Sequence, residues 1–253
     1  MAGRRARGAR SAPPRSQHFL RSAFAAELVR AAGVGADDLV VDVGAGSGRL
    51  TAELARVAGR VVAVELDPAL APRLRGRWRN VEVIEGDAAA FVPPREPFRV
   101  VANLPFDRTN DFLRMLFDDA RVPIVRADLV VEWGVAIKRA VPWPSSASGV
   151  VWNATYECLL ARRLPPSAFE PPPSVAAGVV VFRRREEPLI PAKDIGAYRS
   201  FVFSGFRHGL HRVASARVLS GIAGRGVIPR DLDAFQWATL FRASRAGRRP
   251  QSP

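Results

Sequence analysis

Val40-Val41-Asp42-Val43-Gly44-Ala45-Gly46-Ser47-Gly48-Arg49-Leu50-Thr51 is the stretch whose reading decides the fold. A β-branched, mostly apolar run enters a glycine turn, and a helical pattern leaves it. Glycine lets a backbone turn sharply and approach a ligand closely. A dinucleotide fingerprint has the spacing G-x-G-x-x-G, with a pyrophosphate on the following helix. Here the spacing is G-x-G-x-G, and Arg49 stands where the third glycine of that fingerprint would fall. Asp42, two residues before the first glycine, would repel a phosphate and attract an ammonium group. Together these features suit a ligand with an amino-acid end and no pyrophosphate. S-adenosylmethionine fits, and a dehydrogenase is disfavoured.

Working outward, residues 39–43, 61–65, 81–84, 100–102 and 129–131 are short runs, apolar on both faces. Such strands belong to a parallel sheet covered by helices on both sides. Helical patterns fall near 22–32, 49–58, 68–77, 110–118 and 133–139, with Ser22 as N-cap and Gly33 as stop for the first. The alternation predicts the α/β class, with a doubly wound, Rossmann-like sheet. Residues 150–160 and 178–182 read as late strands, joined by a proline-rich loop. After residue 185 no strand-like run remains, and 198–210, 212–222 and 231–242 read as helices. We expect a basic arm (1–15), a catalytic unit (16–185), a small all-α RNA-binding unit (186–245) and a tail (246–253).

The chain has 253 residues and a formal net charge of +14. Residues 1–15 hold five arginines and no acid, the middle to residue 182 is neutral, and 183–253 carry 14 basic and five acidic residues. Basic ends on a neutral centre suit a polyanion such as nucleic acid. A high-GC codon bias explains arginine over lysine but not this segregation. The candidate RNA contacts are Arg4, Arg5, Arg7, Arg10, Arg15, Arg108, Arg183, Arg184, Arg185 and Arg207. One cysteine, Cys158, excludes a disulfide framework, and no metal is expected. No run is long and apolar enough to span a bilayer, and no secretory signal is visible. We expect a cytoplasmic protein; a mitochondrial transit peptide is a lesser reading of the arm. The five tryptophans read as packing residues.

Two further acids follow strand ends: Glu65, beside Leu66, suits ribose hydroxyls, and Asp87, beside Ala88, suits an adenine amino group. The fourth strand runs into Asn103-Leu104-Pro105-Phe106. An exocyclic amine on a base is a poor nucleophile because its lone pair is delocalised into the ring. Two acceptors on its protons, the Asn103 side-chain oxygen and the Leu104 carbonyl, would localise that pair. Pro105 would fix the turn and Phe106 would stack on the base. A base within RNA must be extruded to arrive there.

Taken together these residues resemble the rRNA adenine N6-methyltransferase family, over roughly residues 16–245. Ser16-Gln17-His18-Phe19-Leu20 resembles the family's N-terminal motif, and the resemblance implies that Gln17, His18 and Leu20 line the methionine end of the cofactor. It assigns Asp42, Gly44, Gly46 and Gly48 to the cofactor loop, Glu65 to ribose, Asp87 to adenine, and Asn103 to both cofactor and catalysis. Phe169-Glu170-Pro171-Pro172-Pro173-Ser174-Val175 resembles the segment whose aromatic closes the far side of the target base, which makes Phe169 a catalytic candidate. Within the family, the Erm-type 23S rRNA branch of macrolide resistance is favoured, because 203–210 lacks the Arg-Arg-Lys run usual in 16S enzymes. The resemblance implies a monomer acting on naked or precursor 23S rRNA. The alternatives are a 16S adenine dimethyltransferase and a nucleic-acid-binding protein on a methyltransferase fold. Asp107 and Arg108 depart from the family's small or apolar residues after the catalytic loop.

Overall fold

The computed structural model describes residues 18–87, 91–139, 144–224 and 226–246. The chain begins with a two-residue strand, β1 (Phe19–Leu20), and helix α1 (Ser22–Ala32), which Gly33 closes in the left-handed conformation. Strands β2 (Leu39–Val43), β3 (Arg60–Glu65), β4 (Val81–Glu85), β5 (Phe98–Asn103) and β6 (Ile124–Glu132) follow. Between them lie α2 (Arg49–Ala55), α3 (Ala71–Leu74) and α4 (Thr109–Phe117). Then come α5 (Trp133–Arg139), α6 (Ala147–Asn153), β7 (Tyr156–Leu164), β8 (Phe169–Glu170) and β9 (Ala177–Arg184). Helices α7 (Ile195–His208), α8 (Ala216–Ile222) and α9 (Ala234–Ala246) complete the order.

Seven strands form one sheet in the order β4-β3-β2-β5-β6-β9-β7. The first five are parallel, while β9 runs antiparallel to both its neighbours. The strand order reverses between β2 and β5, and ligands bind α/β sheets at such a switch point. Alternation sends side chains to the two faces. Val41, Val43, Val62, Val100 and Ala102 pack with Phe112, Leu113 and Leu116 of α4. Val40, Val61, Val101 and Val130 pack with Leu28 and Val29 of α1 and Leu54 of α2. This is the two-faced burial that the apolar runs predict, except in β4, the edge strand, where no residue is fully buried.

One expected element is different. Residues 150–160 are not one strand: Ala147–Asn153 is helix α6, and β7 starts at Tyr156. The Ser146 side chain caps the helix by accepting from the Gly149 N–H at 3.2 Å. An apolar run buried on every side carries no periodicity, so helix and strand look alike in sequence. Val150 and Val151 of α6 join a third apolar cluster with Tyr198, Val202, Trp237, Leu240 and Phe241 of α7 and α9. The helical core therefore takes in side chains from before residue 185. The predicted helix near 68–77 is helical only over Ala71–Leu74.

A second, two-stranded sheet pairs β1 with β8 antiparallel, Phe19 opposite Glu170 and Leu20 opposite Phe169. It lies 151 residues apart in sequence and next to the switch point.

Candidate active site

The carboxyl ends of β2, β3 and β5 converge on a cleft, the place where open α/β sheets bind ligands. His18 and Phe19 line one part of it, Gly44, Gly46, Glu65 and Leu66 another. Gly86, Asp87, Asn103, Leu104, Pro105, Phe106, Asp107, Arg108 and Phe112 line the rest, with Val64.

The glycine turn is shaped from both sides. Val64's carbonyl accepts from the N–H groups of Gly44 (2.8 Å) and Ala45 (3.1 Å). Gly46 holds φ at 56°, and a Cβ there would sit 2.8 Å from the Phe19 ring. Only glycine lets the β1 ring lie on this turn. Glu65, 6% exposed, accepts from the Gly46 N–H at 2.5 Å and the Asp67 N–H at 2.8 Å. Its carboxylate thus ties the end of β3 to the glycine turn at the cleft wall.

The catalytic-loop candidate starts at the last residue of β5. Asn103 Nδ2 donates to the His18 carbonyl at 2.8 Å, and its buried Oδ1 has no hydrogen-bond partner. An unpaired buried acceptor costs about 1–3 kcal/mol, which marks it as a group waiting for a donor. The Leu104 N–H donates to Val130, and Thr109 Oγ1 donates to the Pro105 carbonyl at 3.0 Å, pinning the turn at both ends. Phe106 stands 5.9 Å from the His18 ring and edge-on to Phe169 at 6.0 Å. His18 Nδ1 donates to the Pro171 carbonyl at 3.0 Å. Arg108 pairs with Asp87 at 3.4 Å and lies over the Phe112 ring.

Several expected site residues fall elsewhere. Phe169 is fully buried in the core behind Phe106 and does not line the cleft. Leu20, on the opposite face of β1 from Phe19, is buried in the α1 core. Gly48 precedes α2 and takes Leu74 against it, with a Cβ there only 2.5 Å from Leu74 Cδ2. Asp42 lies behind the loop, accepting from Thr51 Oγ1 at 2.7 Å. Burial pushes its pKa up to about 7, with Thr51 opposing and Glu65 adding to the rise. It is therefore not the permanent anion that the sequence suggests. Among the RNA candidates, Arg184 spends its guanidinium on the carbonyls of Ala120, Val122 and Ile124 and on the Tyr156 hydroxyl. Arg185 donates to the Asn153 carbonyl and lies over Phe235. Arg184 and Arg185 are half-buried, whereas Arg183 and Arg207 are exposed. Gln17, Ala88, Arg4, Arg5, Arg7, Arg10 and Arg15 lie outside the described residues.

Phe19, Val64, Gly86, Asp107 and Phe112 line the cleft without having been assigned a site role in sequence. Phe19 had a signal: strand alternation makes it and Leu20 face opposite ways. Phe112 had none, because its spacing reads as a core position of α4.

The sheet order, the glycine turn at the switch point and the Asn103 loop beside it define a methyltransferase fold. The family model for ribosomal RNA adenine dimethylase matches residues 13–209, and the chain belongs to that family. It is 34% identical over 230 residues to the mycinamicin-resistance protein MyrB of Micromonospora griseorubida, covering 83% of this chain and 72% of that protein. It is 37% identical over 251 residues to the ribosomal RNA small subunit methyltransferase A of Rubrobacter xylanophilus, covering 89% and 92%. Among solved structures, 23S rRNA methyltransferase ErmE aligns with a TM-score of 0.75 and 30% identity over 88% of this chain and 98% of its own.

Proposed function

We propose that this chain transfers a methyl group from S-adenosylmethionine to N6 of one adenine in the peptidyl-transferase region of 23S rRNA. The modification would lower binding of macrolide, lincosamide and streptogramin B antibiotics. The observation that carries the reading is Asn103: its Nδ2 is anchored, and its Oδ1 is a buried acceptor without a donor. An adenine amine brings two N–H donors. The likeness to MyrB and ErmE supports the 23S branch.

The donor set fits the cofactor. Glu65 offers a carboxylate at the end of β3, Asp87 follows β4, and Gly44 and Gly46 add no side chain of their own to the cleft. When bound, S-adenosylmethionine supplies a methyl group on a sulfonium, which is electrophilic without a metal. The protein's part is to hold and polarise the amine. Asn103 Oδ1 and the Leu104 carbonyl would accept hydrogen bonds from its two N–H groups, directing the nitrogen lone pair toward the cofactor. Phe106, on the rim with Arg108, offers a face for the extruded base. Preorganised acceptors of this kind contribute both orientation and electrostatic stabilisation.

The likeness to the small subunit methyltransferase over nearly both full lengths favours 16S rRNA as the second reading. The two readings separate on one experiment. Purified protein is given labelled S-adenosylmethionine and unmodified 23S and 16S rRNA, and the modified base is mapped by primer extension. We expect a single stop in the 23S peptidyl-transferase loop. Label in the 3′ hairpin of 16S rRNA would replace the first reading with the second. Asn103→Ala should lower turnover at least about 100-fold while cofactor affinity stays within about threefold. Near-wild-type turnover would remove Asn103 from catalysis.

A further inference from the structure

We infer that His18 is a positioning residue that fixes which end of the Asn103 amide faces the substrate. The inference rests on the proposed role of Asn103 as acceptor for the target amine.

A carboxamide has two ends of nearly the same shape and opposite polarity. Turning Asn103 by half a revolution about its last torsion would leave its packing almost unchanged. It would also present N–H groups to an amine that itself brings N–H groups. Methyl transfer therefore needs the oxygen toward the substrate, and something must decide the orientation before the base arrives.

The only partner of the Asn103 amide among the described residues is the His18 carbonyl, 2.8 Å from Nδ2. A carbonyl accepts and cannot donate, so it selects the NH₂ end and leaves Oδ1 pointing away, unpartnered. The His18 peptide is itself held on two sides. On the far side from the chain start, Phe19 and Leu20 pair with Glu170 and Phe169, and the Arg21 N–H donates to the Ala168 carbonyl at 2.8 Å. At His18 the strand pairing has ended. There the ring takes over, with Nδ1 donating to the Pro171 carbonyl at 3.0 Å. The imidazole thus extends the β1–β8 pairing by one residue through a side chain. Every residue type supplies a carbonyl at position 18, but few supply a donor of this reach. The work of the histidine is to hold its own backbone, and through it Asn103.

The test uses His18→Ala and His18→Asn in the full-length protein. In His18→Ala, turnover at saturating S-adenosylmethionine and RNA should fall about tenfold, the scale of one lost hydrogen bond. The Kd for S-adenosylhomocysteine, read by calorimetry, should stay within about threefold. His18→Asn, whose amide can donate to the Pro171 carbonyl, should recover most of the turnover. Unchanged turnover with weakened cofactor binding would make His18 a cofactor contact and overturn the inference. Equal losses in both variants would overturn it too, since the ring rather than its donor would then matter.

A second readout needs no activity. The Asn103 side-chain NH₂ resonances, assigned with Asn103→Ala, should exchange slowly in the wild type and faster in His18→Ala. Equal exchange in the two proteins would refute the lock. If the wild type labelled neither rRNA, the methylation reading would fail, while this comparison would still decide whether His18 holds the amide.

Discussion

At the scale of single residues, burial behind the glycine turn changes how the Asp42 carboxyl holds its proton. Asp42 is 1% exposed, and its carboxyl titrates near 7 against an ordinary value of 3.8. Desolvation is the main cause, Glu65 adds to it, and the Thr51 hydroxyl opposes it. Between about pH 4 and pH 7 the folded protein keeps a proton here that the unfolded chain has lost. Stability therefore falls as pH rises through that window, by roughly 1.4 kcal/mol per unit at most, and levels off above it. Asp42→Asn should flatten this contribution and be the more stable protein at pH 8. Denaturant unfolding at pH 5 and pH 8 measures it, and an unchanged slope in the variant would show that Asp42 does not titrate as stated. The acids, glycines and Asn103 were legible in sequence because each sits at a strand end. Asp42's burial was not, because residue type says nothing about depth. Arg184 shows the same limit: it reads as a free cation in a run of three, and three backbone carbonyls claim it.

At the scale of elements, the two-faced strands and the glycine turn were readable from period and composition, and the sheet follows from them. What sequence could not resolve was local pairing. Residues 150–153 are apolar without a period, and the Ser146 cap and the contacts with α7 and α9 make them helical. Phe169 was read as a wall of the base pocket. It lies opposite Leu20 in the β1–β8 pair and is buried in the core, while Phe19, Phe106 and Phe112 line the cleft. A two-residue strand gives sequence no pattern to show which side faces in. The element that the site depends on most is the contact of Phe19 with the glycine turn. Gly46→Ala would add a Cβ 2.8 Å from the ring at a φ of 56°. The backbone strain alone costs about 1–2 kcal/mol, and relief requires the Phe19 ring to shift. Cofactor affinity should fall at least about tenfold, measured by calorimetry. Wild-type affinity would mean that β1 does not need to lie on the turn.

At the scale of the whole molecule, charge and chemistry are divided. The cleft sits in the neutral middle of the chain, and the cationic excess lies in the two end segments. From 195 to 230 there is no acidic residue at all, while Arg207, Arg212 and Arg217 are exposed. Deleting residues 1–15 should weaken RNA binding at moderate salt and matter little at high salt. If all five arginines neutralise phosphates, the slope of log affinity against log salt should drop by up to roughly 3.5. A slope that does not change would place the arm away from RNA. The domain order also has a consequence in time. The β1–β8 pair joins residues 19–20 to residues 169–170, so its first half leaves the ribosome long before its second. Closing a loop that long is entropically slow and cannot begin early. A nascent chain can carry the glycine turn and the Asn103 loop, yet Phe19 and His18 have no β8 to hold them until residue 170 has been made. Competence to modify a base thus waits for β8, by the order of synthesis itself.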